Sequence, residues 1–182
     1  MPDGLLSAGP SLQSIRINAE MHADDIIKFL PEQAANVREK MTRFAGLTPK
    51  QAGETPRATL HGTFKLAQIL CRNDKLALVD FDSVASGDPH YDLAEFVASV
   101  LFLSVSDGVS EQSTQQSVAL FLETYQKHVP WRCDRRRLSW YLVAFLLGKI
   151  HATLKRAEKQ GVDIATNGLR LLERWLIEVV LQ

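Results

Sequence analysis

Two stretches of the chain gather the side chains that bind cations, orient hydroxyls and carry protons. One is His61-Gly62-Thr63-Phe64-Lys65-Leu66-Ala67-Gln68. The other is Val79-Asp80-Phe81-Asp82 followed by Gly87-Asp88-Pro89-His90-Tyr91-Asp92-Leu93-Ala94. A strand that ends in carboxylates, with a loop from its partner strand alongside, can hold a divalent cation through hard oxygen ligands. Asp80 and Gln68 are the candidates for that task. Each residue also has a plainer reading: Asp80 and Asp82 as strand-end and turn acids, His61 as a satisfied turn histidine, Asp88 as a turn residue before Pro89.

The elements between and around these stretches must bring them together. Ile69 and Cys71, then Leu76 and Leu78, alternate with their neighbours across the polar turn Arg72-Asn73-Asp74-Lys75, which predicts a β-hairpin. It is the one strong strand signal, and it folds the two polar stretches towards each other. Upstream, Ile26, Leu30, Ala34, Val37, Met41 and Phe44 follow a helical path interrupted by Pro31. Proline suits a first helical turn, so one helix should end near Leu30 and the next start at Pro31, stopping at Gly46. Residues 47–57, with Thr48-Pro49 and Thr55-Pro56, read as a linker, and residues 1–20, rich in Gly, Pro and Ser, as a loose lead-in.

Downstream the periodicity predicts helices over about 91–105, 111–128 and 134–160. Asp134 should cap the start of the last of these and Gly161 should stop it. A final helix carries Leu169, Leu172, Leu176 and Val179. Trp131, Trp140 and Trp175 read as core or groove lining within the C-terminal helices. The fold class expected is α+β, predominantly α-helical, with one inserted hairpin.

The order and spacing of the polar residues resemble those of the aminoglycoside phosphotransferases, choline kinases and their relatives. There the catalytic loop reads H-G-D-x-x-x-x-N, and a following hairpin strand ends in I-D-F-D, then G-D-P-x-x-D-L-A. This chain has H-G-T-x-x-x-x-Q, V-D-F-D and G-D-P-H-Y-D-L-A. The resemblance, strongest from His61 to about Ala94, implies a protein-kinase-like C-lobe over residues 21–182, with the hairpin carrying the catalytic-loop and metal-binding motifs. It implies His61 as the histidine that orders the loop and Thr63 at the place of the aspartate that orients the acceptor hydroxyl. Gln68 then stands for the metal-binding asparagine, Asp80 for the aspartate that holds magnesium against ATP or GTP phosphates, and Asp88 and Asp92 for braces of the loop. Asp82 and Lys65 receive no role.

Two departures shape the functional expectation. Threonine cannot carry the charge of the expected aspartate, and loss of a positioned general base costs roughly 10²- to 10⁴-fold in rate. Positioning and electrostatics nevertheless supply most of phosphoryl-transfer catalysis, so weak activity is compatible with Thr63. Residues 1–57 contain no G-x-G and show helical rather than strand periodicity, so no nucleotide-binding N-lobe is expected there. A truncated pseudoenzyme, a piece of a longer protein and a chain completed by a partner all fit that reading. An uncovered cleft face favours a homodimer or another covering partner.

Composition limits the rest. With 21 basic and 21 acidic residues the net charge is zero and the pI about 7.0, which gives no electrostatic case for nucleic acid or an anionic membrane. The basic run Arg135 to Arg137 reads as a solvated helix face. Cys71 and Cys133 lack metal or redox spacing and read as reduced thiols. With no apolar run of spanning length, the expectation is a cytoplasmic protein. Its expected activity is magnesium-dependent transfer of a nucleoside triphosphate γ-phosphate to a small-molecule hydroxyl, weak or absent in the chain alone, with the acceptor pocket formed by the helices after residue 110. The competing expectation is a non-catalytic ligand- or protein-binding module.

Overall fold

The computed structural model describes residues 6–49, 56–156 and 160–180, with side chains as far as Leu176. The middle of the expected linker, residues 50–55, and the side chain of Val179 lie outside the described residues.

The chain enters its first helix earlier than its Gly/Pro-rich start suggests. Ser11 caps α1 (Leu12–Phe29), its hydroxyl accepting from the Ser14 N–H. The expected lead-in over residues 1–20 is therefore helical from Leu12. Ile15, Ala19, Ala23 and Ile26 form the buried stripe of α1, and its two alanines weigh little in a hydrophobic pattern. Leu30 closes the helix with its N–H on the Ile26 carbonyl. Pro31 then opens one 3-10 turn, Pro31–Gln33, that runs into α2 (Ala34–Gly46). The break at Leu30 and Pro31 and the stop at Gly46 follow the expectation.

Four short strands come next. β2 (Ile69–Arg72) and β3 (Lys75–Leu78) form the predicted hairpin, in the register Ile69 with Leu78 and Cys71 with Leu76. Asn73 and Asp74 turn it with φ of 50° and 59°, the left-handed pair that two-residue hairpin loops require. A second pair was not predicted: β1 (Ala58–Leu60) lies antiparallel to β4 (Ala85–Gly87). These three-residue strands are too short for alternation to show. Their pairing closes the ends of the segment, Leu60 to Ala85, that carries the loop and the hairpin.

The remaining helices are α3 (His90–Ser106), α4 (Glu111–His128), α5 (Arg135–Lys155) and α6 (Gly161–Val180). Asp134 caps α5, accepting from the Arg137 N–H. Gly161 begins α6 instead of ending a helix that runs to residue 160, and α5 stops at Lys155. Trp131 sits in the connection between α4 and α5, outside any helix. α5 is buried on several sides through Leu138, Trp140, Leu142, Leu146, Leu147 and Ile150, so it can only be central. It packs against α1, α3 and α6. Trp140 is fully buried and stacks on Phe44 of α2, with ring centroids 5.1 Å apart. Burial of each large aliphatic side chain in this core contributes roughly 1.5–3 kcal/mol. The result is a mostly helical α+β fold with small antiparallel strand pairs at one end. No described helix is long and apolar enough to cross a membrane.

Candidate active site

The connection between β1 and β2 carries His61 to Gln68, and several independent contacts fix its shape. The Asp92 carboxylate, in the first turn of α3, accepts from the His61 N–H at 2.6 Å and the Gly62 N–H at 3.0 Å. Burial pushes the Asp92 carboxyl up, while these two amides and His61 restrain the rise. Gly62 has a φ of +84°, and a Cβ there would lie 2.1 Å from the Ser83 carbonyl oxygen, so only glycine fits. His61 is buried, with Nε2 2.9 Å from the Val79 carbonyl oxygen and the ring against Phe81. Farther along, Phe64 stacks on Phe96 of α3 at 5.0 Å, and the Leu66 N–H donates to the Ser99 hydroxyl.

The hairpin returns the chain to this loop. The Val79 N–H donates to the Gln68 carbonyl at 3.1 Å, which places Asp80 beside Gln68. Asp80 takes left-handed backbone angles, φ 70° and ψ 56°, uncommon for a residue with a Cβ and typical of functional turns. Its carboxylate can only accept, so the contact at 2.7 Å comes from the Gln68 amide nitrogen. Gln68 Oε1 is then buried and has no hydrogen-bond partner among the described residues. Asp80 itself is exposed, as is Asp82 in the 3-10 turn that follows.

The exposed Asp80 carboxylate suits a hard cation, whereas Gln68 meets it through the amide nitrogen and would have to turn its amide to offer the oxygen that is now buried. Magnesium is commonly held by one or two carboxylates together with substrate phosphates. The described residues contain no group of three or more His, Cys, Asp or Glu side chains that could hold a metal by themselves. Asp80 suits the first arrangement, with Gln68 beside it.

Asp88 faces away from the loop. It accepts from the His90 backbone N–H and Nδ1, from Tyr141 Oη at 2.9 Å and from the Arg137 guanidinium. Burial opposes its charge, but His90 and Arg137 outweigh that effect and hold the carboxyl down at about 2. The Asp134 N–H donates to His90 Nε2, so the ring hydrogen sits on Nδ1. Burial opposes a charge on this ring, but the Asp88 carboxylate outweighs it and draws the ring towards a second proton, which would have to displace the Asp134 amide. Of the two expected braces, only Asp92 touches the loop; Asp88 ties the start of α3 to α5. Arg137 is accordingly no solvated residue, and the expectation for that basic run fails at this position. Asp88, Arg137 and Tyr141 also line a separate cleft of about 400 Å³ with Arg57 and Ser86.

Sequence reasoning passed over Glu95, one turn beyond Asp92. Burial pushes its carboxyl up to about 7 against the nearby Lys149 and Lys65 cations, and its Oε2 has no partner among the described residues. Burial in turn lowers Lys149. Neither residue belongs to a recognisable spacing, so only the fold reveals them.

The family model described as APH, phosphotransferase enzyme family, matches residues 3–112, more than half of the 182 residues. The match takes in the His61 loop, the hairpin, Asp80 and Asp92. No curated protein and no solved structure matches the chain.

Proposed function

The chain belongs to the phosphotransferase enzyme family, and we propose that it is a kinase-like C-lobe that holds a divalent cation and nucleoside triphosphate phosphates at Asp80 and Gln68. The observation that carries this reading is the meeting of Asp80 with Gln68 at 2.7 Å, at the end of a loop that Asp92 fixes. Magnesium, bound with ATP or GTP, would neutralise phosphate charge there. The chain's own residues supply the remainder: Asp92 holds the loop, His61 ties it to Val79, and Thr63 stands where an acceptor hydroxyl would be oriented.

Transfer to a small-molecule hydroxyl is slow in this reading because Thr63 offers no carboxylate to the acceptor. The test restores one. Thr63→Asp should raise magnesium-dependent turnover of labelled ATP in the presence of hydroxylated acceptors by roughly 10²-fold or more. No turnover in either protein, with binding intact, would leave a phosphate-binding module without catalysis.

A second reading, an interaction module, is favoured by one observation. Leu70, Leu76, Leu78, Val79 and Phe81 are exposed on the hairpin and just after it, with Leu76 73% accessible. Leu76 and Leu78 share one face of the hairpin and Leu70 lies on the other; exposed apolar side chains gathered on one short element usually meet a partner, and a second copy of the chain is the occupant we propose. Sedimentation over a wide concentration range tests it: association that Leu76→Ser weakens supports the module, and a monomer throughout contradicts it.

A further inference from the structure

His61 and Thr63 carry an arrangement that cation and nucleotide binding does not use. The Val79 carbonyl, 2.9 Å from His61 Nε2, can only accept, so Nε2 bears the hydrogen. In the neutral ring the lone pair then lies on Nδ1. Thr63 Oγ1 is 3.3 Å from that atom, so its hydroxyl donates to it. A hydroxyl aimed at the lone pair of an imidazole whose other nitrogen is already engaged is the arrangement that activates an alcohol as a nucleophile.

The surroundings suit such a role. The His61 ring is buried at 7% exposure, while Thr63 is only partly covered, so the base is held and the hydroxyl can be reached. Asp92 grips the backbone on the N-terminal side of Thr63, and the stack of Phe64 on Phe96 fixes the C-terminal side. The carbonyl that orients the ring belongs to the residue before Asp80. The same short segment therefore sets both the phosphate end of the proposed nucleotide site and the tautomer of the base.

We propose that Thr63 is itself a phosphoryl acceptor, so that the chain phosphorylates its own loop; this rests on the reading of Asp80 and Gln68 as the phosphate end of a nucleotide site. Thr63 Oγ1 attacks the γ-phosphorus of a nucleoside triphosphate. The new Oγ–P bond forms as the bond from the γ-phosphorus to the β,γ-bridging oxygen breaks. The nucleoside diphosphate departs with that oxygen's electron pair, and the hydroxyl proton passes to His61 Nδ1. The product is a phosphothreonine beside the position where the acceptor hydroxyl of a separate substrate would be oriented, which makes the modification a block on transfer to other molecules.

The experiment incubates the full chain with magnesium and ATP and, separately, with acetyl phosphate as a donor that needs no nucleotide grip. Intact mass and peptide mapping locate any added phosphoryl group, and calorimetry follows ATP binding in parallel. The expected result is one phosphoryl group on Thr63, lost in Thr63→Val and kept in Thr63→Ser. It should form at least roughly 10²-fold more slowly in His61→Gln, whose amide can still donate to Val79 but offers no basic nitrogen. Magnesium-ATP binding without phosphate on Thr63 from either donor overturns the inference and leaves the Asp80 reading standing. Labelling of Thr63 by acetyl phosphate without ATP binding supports the activated hydroxyl and overturns the nucleotide reading. Neither binding nor labelling overturns both, and equal labelling rates in His61→Gln overturn the role of His61.

Discussion

The two sides of the candidate site are built in opposite ways. On the side of the His61 loop, backbone and side chains are held by several separate contacts: Asp92 on two amides, the Val79 carbonyl on His61, Ser99 on Leu66 and Phe96 on Phe64. On the side of Asp80, the hairpin is largely exposed, and among the described residues one hydrogen bond, from Gln68, holds the carboxylate. In the proposed reading the braced side would fix where a reacting group stands, and the open side would take up the cation and the phosphates. A two-stranded hairpin is marginal by itself in water, so the open side depends on the β1–β4 pair that closes the segment carrying it.

That contrast predicts a graded series of effects on stability. Gly62→Ala should cost the most, about 4 kcal/mol, because it combines a left-handed φ with a methyl group driven into the Ser83 carbonyl. Denaturant unfolding measures it, and a loss below about 1 kcal/mol would show that the loop is looser than described. Asp92→Ala should follow at about 3 kcal/mol, since it leaves two amides without their partner.

Glu95 sharpens the comparison through pH. Its carboxyl lies at about 7 in the folded chain, against about 4.3 when unfolded. Between those values the folded state keeps a proton that the unfolded state has released. Its contribution is therefore fully favourable below about pH 4 and is lost as the pH rises through 7, a change of about 3 kcal/mol between pH 5 and pH 8. Glu95→Gln should remove that part of the pH dependence, seen by comparing urea midpoints of the two proteins at pH 5 and pH 8. The smallest effect belongs to the open side. Leu76→Ser on the exposed face of β3 should change monomer stability by no more than about 0.5 kcal/mol. A larger loss would mean that the hairpin is packed more firmly than its exposure indicates.

The same division decides what the sequence made legible. The hairpin announced itself through a polar turn between alternating residues, and Asp134 announced the start of α5 as a cap. His61, Gln68, Asp80 and Asp92 were legible as a constellation because their spacing is set by a loop and a hairpin of fixed length. β1 and β4 were not, since three residues hold too little alternation and their partners lie 25 or more positions away. The start of α1 was hidden by alanines in its buried stripe and by the Gly and Pro residues before Ser11. Asp88 was visible as a conspicuous acid, but its partners Arg137 and Tyr141 come from α5, and no local pattern names a contact across 49 or 53 residues. Glu95 looks like any helical glutamate until α3 is buried against its neighbours.

Calorimetric titration of the chain with magnesium and ATP, repeated with Asp80→Asn, tests the central claim most directly. Saturable magnesium-dependent binding in the natural chain, abolished in the variant while its unfolding midpoint stays unchanged, is the predicted result. Binding of equal strength in both proteins, or none in either, would contradict the assignment of Asp80 as the residue that holds the cation.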